Sequence, residues 1–160
     1  MAAKSTPDVL NALVRVLLVK TATKPAPASY QLQNSTDVKC YFSFVCAYCA
    51  ERPPVEFDHA IPTNQYHLGE HCKGNLIPSC RECTDKKKKG RAKWGLDYRE
   101  FLVGREGGAD LIAKIETWMK ADGYVPLGND PDIKALVDAL RTNVGKSLEK
   151  CVAEIRLCRG

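Results

Sequence analysis

The sequence predicts an α+β protein in which two short strands and a helix, joined by clustered cysteines, lie between helical segments at both ends of the chain. Three observations predict this fold class. Two Cys-x-x-Cys pairs, Cys46 with Cys49 and Cys80 with Cys83, are separated by 30 residues. Short β-branched and aromatic runs lie between the pairs, and a lysine-rich stretch without helix breakers follows them. Apolar residues recur at helical spacing towards both termini.

The length and composition are those of a soluble globular protein. The chain has 160 residues, of which 44% are hydrophobic and 27% charged, and this length favours one compact domain. We distinguish an N-terminal helix with a Pro/Ala linker at 1–28, a cysteine-containing core at 29–93 and a C-terminal helical region at 94–160. Residues 9–18 form the longest apolar run, which is too short for a membrane span. No secretory signal is recognisable, so we expect a cytoplasmic protein without membrane association.

Local signals assign the elements of the first half of the chain. Thr6-Pro7-Asp8 predicts the start of the N-terminal helix. The apolar residues of this helix cover more than one face, which favours packing against a partner subunit as well as its own domain. The signal Asn34-Ser35-Thr36-Asp37 predicts the turn of a short hairpin over residues 30–45. Residues 55–60 predict a strand, and residues 76–78 predict the strand that returns after a polar loop.

The second half is predicted to be helical. Trp118 and Met119 lie on the apolar stripe of one helix and are expected in its core. Gly145 is expected to interrupt the last helix. The predicted helices cover residues 81–89, 97–102, 109–120 and 131–160.

The cysteines indicate a metal site rather than disulfides, because no secretion signal accompanies them. The two pairs match the tetrahedral four-thiolate site that Zn²⁺ favours. Four protein ligands leave no open position, so the zinc is expected to be structural. Spacing alone leaves open that Cys72 replaces Cys80 as a ligand. The remaining thiols, expected to be buried or unreactive, are Cys40, Cys72, Cys151 and Cys158.

Positive charge is concentrated directly after the second cysteine pair. The net charge is +5, and the stretch from Arg81 to Lys93, with seven basic and two acidic residues, carries the whole surplus. A local patch of this kind is expected where a protein binds a phosphate backbone. A solvated helix face is the alternative. The predicted nucleic-acid contacts are Lys86, Lys87, Lys88, Lys89, Arg91 and Lys93.

Two further motifs lie between the cysteine pairs. Asp58-His59-Ala60-Ile61-Pro62 ends the first predicted strand, and Gly74-Asn75-Leu76-Ile77-Pro78 leads to the second pair. In order and spacing, residues 46–90 resemble the HNH endonucleases, the ββα-metal nucleases, in the branch with a four-cysteine zinc cage. The resemblance implies that the core at 29–93 is an HNH nuclease core that hydrolyses phosphodiester bonds.

The chemistry of that reaction explains the residue types. His59 is suited to accept a proton from the attacking water as general base, and Asp58 offers the carboxylate oxygen that Mg²⁺ or Mn²⁺ prefers. Adjacent strand residues point to opposite faces, so regular β geometry must be broken for both to serve one site. The resemblance implies that Asn75 bonds across the loop and orients the His59 backbone. A turn-forming asparagine after Gly74 is the alternative.

The sequence departs from the family directly after Cys83, where a His or Asn is the usual second metal ligand. Thr84 occupies this position, and a hydroxyl is a poor ligand for Mg²⁺. Asp85 is a better ligand but lies about 100° further around the helix. We prefer Asp85, and both candidates stay open. His67 and His71 in the loop are alternative ligands for metal or phosphate.

Together these observations predict a metal-dependent DNA endonuclease. By analogy with the family, we expect a restriction-type enzyme that cuts double-stranded DNA as a homodimer. It would use structural Zn²⁺ and catalytic Mg²⁺ or Mn²⁺, with no small-molecule cofactor. One alternative is a non-catalytic zinc-containing module that binds nucleic acid. Another is that the terminal helices dock the nuclease unit onto a larger assembly.

Overall fold

The fold combines six helices with one two-stranded sheet within the described parts of the chain. The computed structural model describes residues 6–21, 30–64, 66–89 and 95–159. The predicted linker around residues 24–28 therefore lies outside the described residues. In chain order the elements are α1 (Thr6–Thr21), α2 (Thr36–Tyr41), β1 (Glu56–His59), β2 (Leu76–Ser79), α3 (Arg81–Lys89), α4 (Tyr98–Leu102), α5 (Gly108–Ala121) and α6 (Pro131–Arg159).

The central unit is the β-hairpin followed by α3, which confirms the predicted α+β class. β1 and β2 are antiparallel, with Asp58 opposite Ile77 and His59 opposite Leu76. All four residues of β2 are buried, and Cys80 leads from β2 directly into α3. The end of β2 and the beginning of β1 therefore lie next to the start of a basic helix.

The prediction of a hairpin over residues 30–45 is wrong. A short 3-10 turn at Leu32–Asn34 and the helix α2 occupy this stretch. The Asp37 carboxylate accepts a hydrogen bond from the Val38 amide, so the polar run starts a helix rather than a hairpin turn. Val38 and Phe42 are four residues apart and fully buried, which is helical spacing.

One hydrophobic core joins the central unit to α2, α4 and α5. It contains Tyr48, Ile77 and Tyr98 together with Trp118 and Met119, which are buried as predicted. Two backbone hydrogen bonds reinforce this packing, from Tyr98 to the Ala60 carbonyl and from Leu96 to the Lys87 carbonyl. The C-terminal helices therefore brace the end of β1 and the side of α3.

A second cluster packs α1 against α6. The cluster contains three residues of α1, one of α6 and one of the loop between β1 and β2: Leu10, Val14, Leu18, Val137 and Leu68. α6 runs without interruption from Pro131 to Arg159, so the break predicted at its glycine is wrong. A glycine inside a long helix costs only about 1 kcal/mol, which neighbouring turns can offset.

α1 also carries exposed apolar side chains. Val9, Leu13 and Val16 are exposed, and none of them belongs to the cluster that packs α1 against α6. Across the residues that the structure describes, the helices lack the combination of length and apolar character needed to cross a lipid bilayer.

Candidate active site

Four cysteines form a compact thiol cluster, here called the zinc cage: Cys46, Cys49, Cys80 and Cys83. Their sulfur atoms all lie within 4.8 Å of one another. A tetrahedral site with Zn–S bonds of about 2.3 Å places its sulfurs roughly 3.8 Å apart, so the cluster fits zinc. The Tyr48 amide donates to the Cys46 sulfur at 3.4 Å, which is typical of a turn that presents a metal ligand.

Cys72 is not part of the zinc cage, so the structure does not support it as a replacement for Cys80. Cys72 is buried, and desolvation raises the pKa of its thiol to about 11, which keeps it protonated at neutral pH. Cys40 and Cys151 are exposed rather than buried. The side chain of Cys158 lies outside the described residues.

Next to the zinc cage, a cleft of about 210 Å³ opens at the end of β1. Both Asp58 and His59 line it, although they are adjacent residues of a strand. The other polar side chains that line the cleft are Asn11, Arg15, Thr63, Asn64, Lys87 and Lys88. A larger cavity of about 560 Å³, between the loop and the segment that joins α5 to α6, has neither Asp58 nor His59 in its wall, so cavity size alone does not identify the candidate active site.

Asp58 is held by two buried partners. Its Oδ2 accepts a hydrogen bond from the Tyr48 hydroxyl at 2.7 Å and from the Lys87 ammonium at 3.0 Å. Lys87 also donates to the His59 carbonyl oxygen at 2.6 Å. The Oδ1 atom of Asp58 bonds to none of the described residues, so one carboxylate oxygen is left for a ligand in the cleft.

His59 is paired with a second histidine from the loop. Its Nε2 lies 3.0 Å from Nδ1 of His71, and its own Nδ1 bonds to none of the described residues. The pKa of His59 is lowered to about 4, first by desolvation and then by the neighbouring His71. His59 is therefore neutral at pH 7, the form that can accept a proton.

Asn75 closes the base of the loop that follows β1. Its Oδ1 accepts from the Ile61 amide, and its Nδ2 donates to the carbonyl oxygens of Ile61 and Glu70. The side chain thus bonds across the loop, but its backbone partner is Ile61 rather than His59. Gly69 lies at the same base, where a Cβ atom would collide with the Ile61 carbonyl. These contacts hold the chain in place directly after His59.

The two candidates for a second metal ligand lie outside the cleft. Thr84 is buried, and its hydroxyl donates to the Ser79 hydroxyl at 2.8 Å. Asp85 is exposed on α3 and does not line the cleft that contains Asp58. Across the described residues, no three carboxylate, histidine or cysteine ligands gather within this cleft.

The predicted lysine patch divides into exposed and buried members. Lys86, Lys88 and Lys89 are exposed, and Lys88 also lines the cleft. The side chain of Lys87 is only 4% exposed and points inward to Asp58, so it does not belong to the exposed basic face. Arg91 and Lys93 lie outside the described residues. His67 lies away from the cleft, with Nε2 3.9 Å from a Glu100 carboxylate oxygen.

Five polar side chains around Asp58 and His59 were not among the predicted site residues. Tyr48 holds Asp58, and the cleft is also lined by Asn11, Arg15, Thr63 and Asn64. Arg15 has a recognisable signal in the sequence, because Asn11 and Arg15 are four residues apart in the otherwise apolar run 9–18. Two polar residues at that spacing share one face and indicate a polar contact there.

Residues 46–90 match the family model of the HNH endonucleases. The HNH domain thus contains the zinc cage, Asp58, His59, Asn75 and α3. It indicates a nuclease with a nucleic acid as its substrate. No curated protein and no solved structure matches the chain.

Proposed function

We propose that the chain is a metal-dependent DNA endonuclease of the restriction type. One observation carries the proposal: the HNH domain brings Asp58 and His59 into one cleft whose rim includes the exposed Lys88. We propose double-stranded DNA as the substrate and a homodimer as the active form, because each chain offers one such cleft and two strands must be cut. Zn²⁺ in the zinc cage is proposed to be structural.

His59 is the general base of this proposal. Its Nδ1 is the ring nitrogen without a described partner, so it is the nitrogen available to a water molecule. For Nδ1 to accept a proton, Nε2 must carry the ring hydrogen and donate it to Nδ1 of His71. Asn75 fixes the chain after His59 and is a positioning residue.

Asp58 is the protein ligand proposed for Mg²⁺ or Mn²⁺. Mg²⁺ is commonly held by one or two carboxylates together with water and phosphate oxygens, and the free Oδ1 of Asp58 suits that ligand set. When bound, the ion supplies Lewis-acid stabilisation of the charge that develops on the phosphate and the leaving oxygen. Thr84 and Asp85 lie outside the cleft, so neither is assigned as a ligand.

The exposed lysines of α3 are proposed to bind the DNA backbone. Lys88 and Lys89 are exposed, whereas Lys86 pairs with Glu82 at 2.6 Å on the same face. Contacts of this kind hold phosphates and do not choose a sequence. Arg91 and Lys93 stay proposed phosphate contacts on the basis of their charge alone.

A second candidate function is a non-catalytic zinc module that binds nucleic acid. It is favoured by the absence of a second carboxylate from the cleft, as far as the described residues go, and by the engagement of Asp58 with Lys87. In that case the pair of Asp58 and Lys87 would stabilise the fold, and the cleft would not perform hydrolysis.

Cleavage assays separate the two functions. The purified protein is incubated with supercoiled plasmid and with genomic DNA of different modification states, in Mg²⁺, Mn²⁺ or EDTA. We expect cleavage only with a divalent ion, with linear plasmid as the sign of paired active sites. His59→Ala should slow cleavage by about 10²-fold to 10⁴-fold, the usual contribution of a general base, while zinc content and DNA binding persist.

His67→Ala is the matched control, because it removes a histidine of the same loop that lies outside the cleft. Equal cleavage by His59→Ala and His67→Ala would contradict the proposed role of His59. Binding of DNA without cleavage of any substrate by the wild-type protein would favour the zinc module.

A further inference from the structure

One wall of the cleft comes from outside the HNH domain. Arg15 lies on α1, far before residue 46 in sequence, yet it lines the same cleft as Asp58 and His59. Asn11, one helical turn earlier, lines it as well. The HNH match therefore does not account for the whole cleft.

The position of α1 is fixed by packing on its other side. Val14, the neighbour of Arg15, is only 2% exposed and packs in the cluster with Val137 of α6. Leu68 in the same cluster belongs to the loop after β1, so the cluster ties α1 to both α6 and this loop. Arg15 is thus presented to the cleft by a helix anchored on buried leucine and valine side chains.

The Arg15 guanidinium is available for a ligand. It forms no hydrogen bond or ion pair with any residue in the described part of the chain. A guanidinium offers planar, fork-shaped donors that suit the non-bridging oxygens of a phosphate. The other exposed cation on the cleft wall, Lys88, belongs to α3. The cleft therefore has cations from two different elements next to His59.

We propose that Arg15 binds a phosphate of the DNA strand held in this cleft, next to the bond that is attacked by the water molecule that His59 activates. The inference rests on the proposed function for the identity of the substrate. It assigns a substrate-binding role to the N-terminal helix, which would otherwise serve only as packing for α6. Because the contact involves a phosphate, it contributes to affinity and to the stabilisation of developing charge rather than to base selection.

A cleavage assay tests the catalytic part of this role. Arg15→Ala should lower kcat/KM for plasmid cleavage by about 10²-fold, as expected for the loss of one donor to a charged phosphate. Arg15→Lys should retain part of the rate, because it keeps the charge but not the fork. Lys134→Ala on α6 removes the same charge from an exposed position outside the cleft and should leave the rate unchanged. Equal rates for Arg15→Ala and Lys134→Ala would overturn the inference.

A binding assay keeps this test separate from the proposed nuclease activity. The affinity for a short fluorescent duplex is measured in EDTA at several salt concentrations for the wild-type protein and both alanine variants. Arg15→Ala should bind more weakly and should reduce the salt slope of log K by about 1, while Lys134→Ala should match the wild type. This difference in binding would support the role of Arg15 even if the protein cleaves no DNA. An unchanged slope in Arg15→Ala would overturn the inference even if the wild type cuts DNA.

Discussion

The zinc cage and the cleft lie next to each other but are assembled in different ways. The zinc cage takes its four ligands from two short segments, 46–49 and 80–83. The cleft takes its side chains from α1, β1, the loop and α3, and the key atoms are held by partners far away in sequence. Spacing along the chain can therefore reveal the cage, whereas the cleft depends on the tertiary fold.

The largest expected effect is the loss of the cage metal. Structural zinc in small domains contributes on the order of 10 kcal/mol to folding. Removal of zinc by a chelator, or Cys80→Ser, should therefore unfold the central unit and abolish the cleft. Circular dichroism with metal analysis by mass spectrometry checks this outcome.

Cys40→Ser is the matched control for the zinc experiment, because Cys40 is exposed and lies outside the zinc cage. It should keep both its zinc and its thermal unfolding midpoint. A zinc-free Cys80→Ser protein with native stability would mean that the cage does not support the cleft.

The next effect concerns the buried pair between Lys87 and Asp58. Lys87→Ala leaves the Asp58 carboxylate buried, with Tyr48 as its remaining hydrogen-bond partner. Removal of one member of a buried ion pair costs about 3–5 kcal/mol, so the free energy of unfolding should fall by that amount. Urea denaturation of the zinc-loaded protein measures it.

Lys86→Ala is the control, since this neighbouring lysine is exposed and pairs with Glu82 at the surface. An exposed ion pair contributes about 0–1 kcal/mol, so this variant should unfold close to the wild type. Similar urea denaturation midpoints for the two lysine variants would contradict the stabilising role of the buried pair between Lys87 and Asp58.

The smallest expected effect concerns the histidine pair. His71→Ala removes the partner of the His59 Nε2 atom, so the ring loses the hydrogen bond that selects its tautomer. We expect kcat to fall by roughly 10-fold to 100-fold, less than the loss of about 10⁴-fold known when a charged orienting group is replaced. KM should change little, because His71 is not assigned a contact with DNA.

His71→Gln distinguishes positioning from mere packing. The glutamine carbonyl can accept a hydrogen bond and should restore part of kcat, whereas His67→Ala should retain the full rate. No difference between His71→Ala and His71→Gln would argue against a role in orienting His59.

The sequence predicted the cage, both strands and α3, because each depends on a local pattern. It could not distinguish Lys87 from the lysines beside it by residue type. Helical phase offered a signal, because Lys87 lies four residues after the buried Cys83 and so falls on the same inner face. Residue type alone therefore groups Lys87 with the exposed lysines, whereas helical phase places it inside.

The other differences between the predicted and the observed structure also have physical causes. Residues 30–45 contain β-branched and aromatic residues typical of a strand, but tertiary packing of Val38 and Phe42 favours a helix. His59 and His71 are twelve positions apart in sequence, and the loop between them has no periodicity that would predict their contact. Arg15 reaches the cleft only because α6 holds α1 in place, and that packing cannot be deduced from either helix alone.

The hydrogen bonds of Asn75 give the loop a fixed base. Its amide group joins Ile61 to Glu70, and the chain between them leaves and returns at nearly the same point. The free-energy cost of closing a loop rises only slowly with its length. The exposed part of this loop, around Tyr66, can therefore diverge in sequence or length while His59 keeps its position.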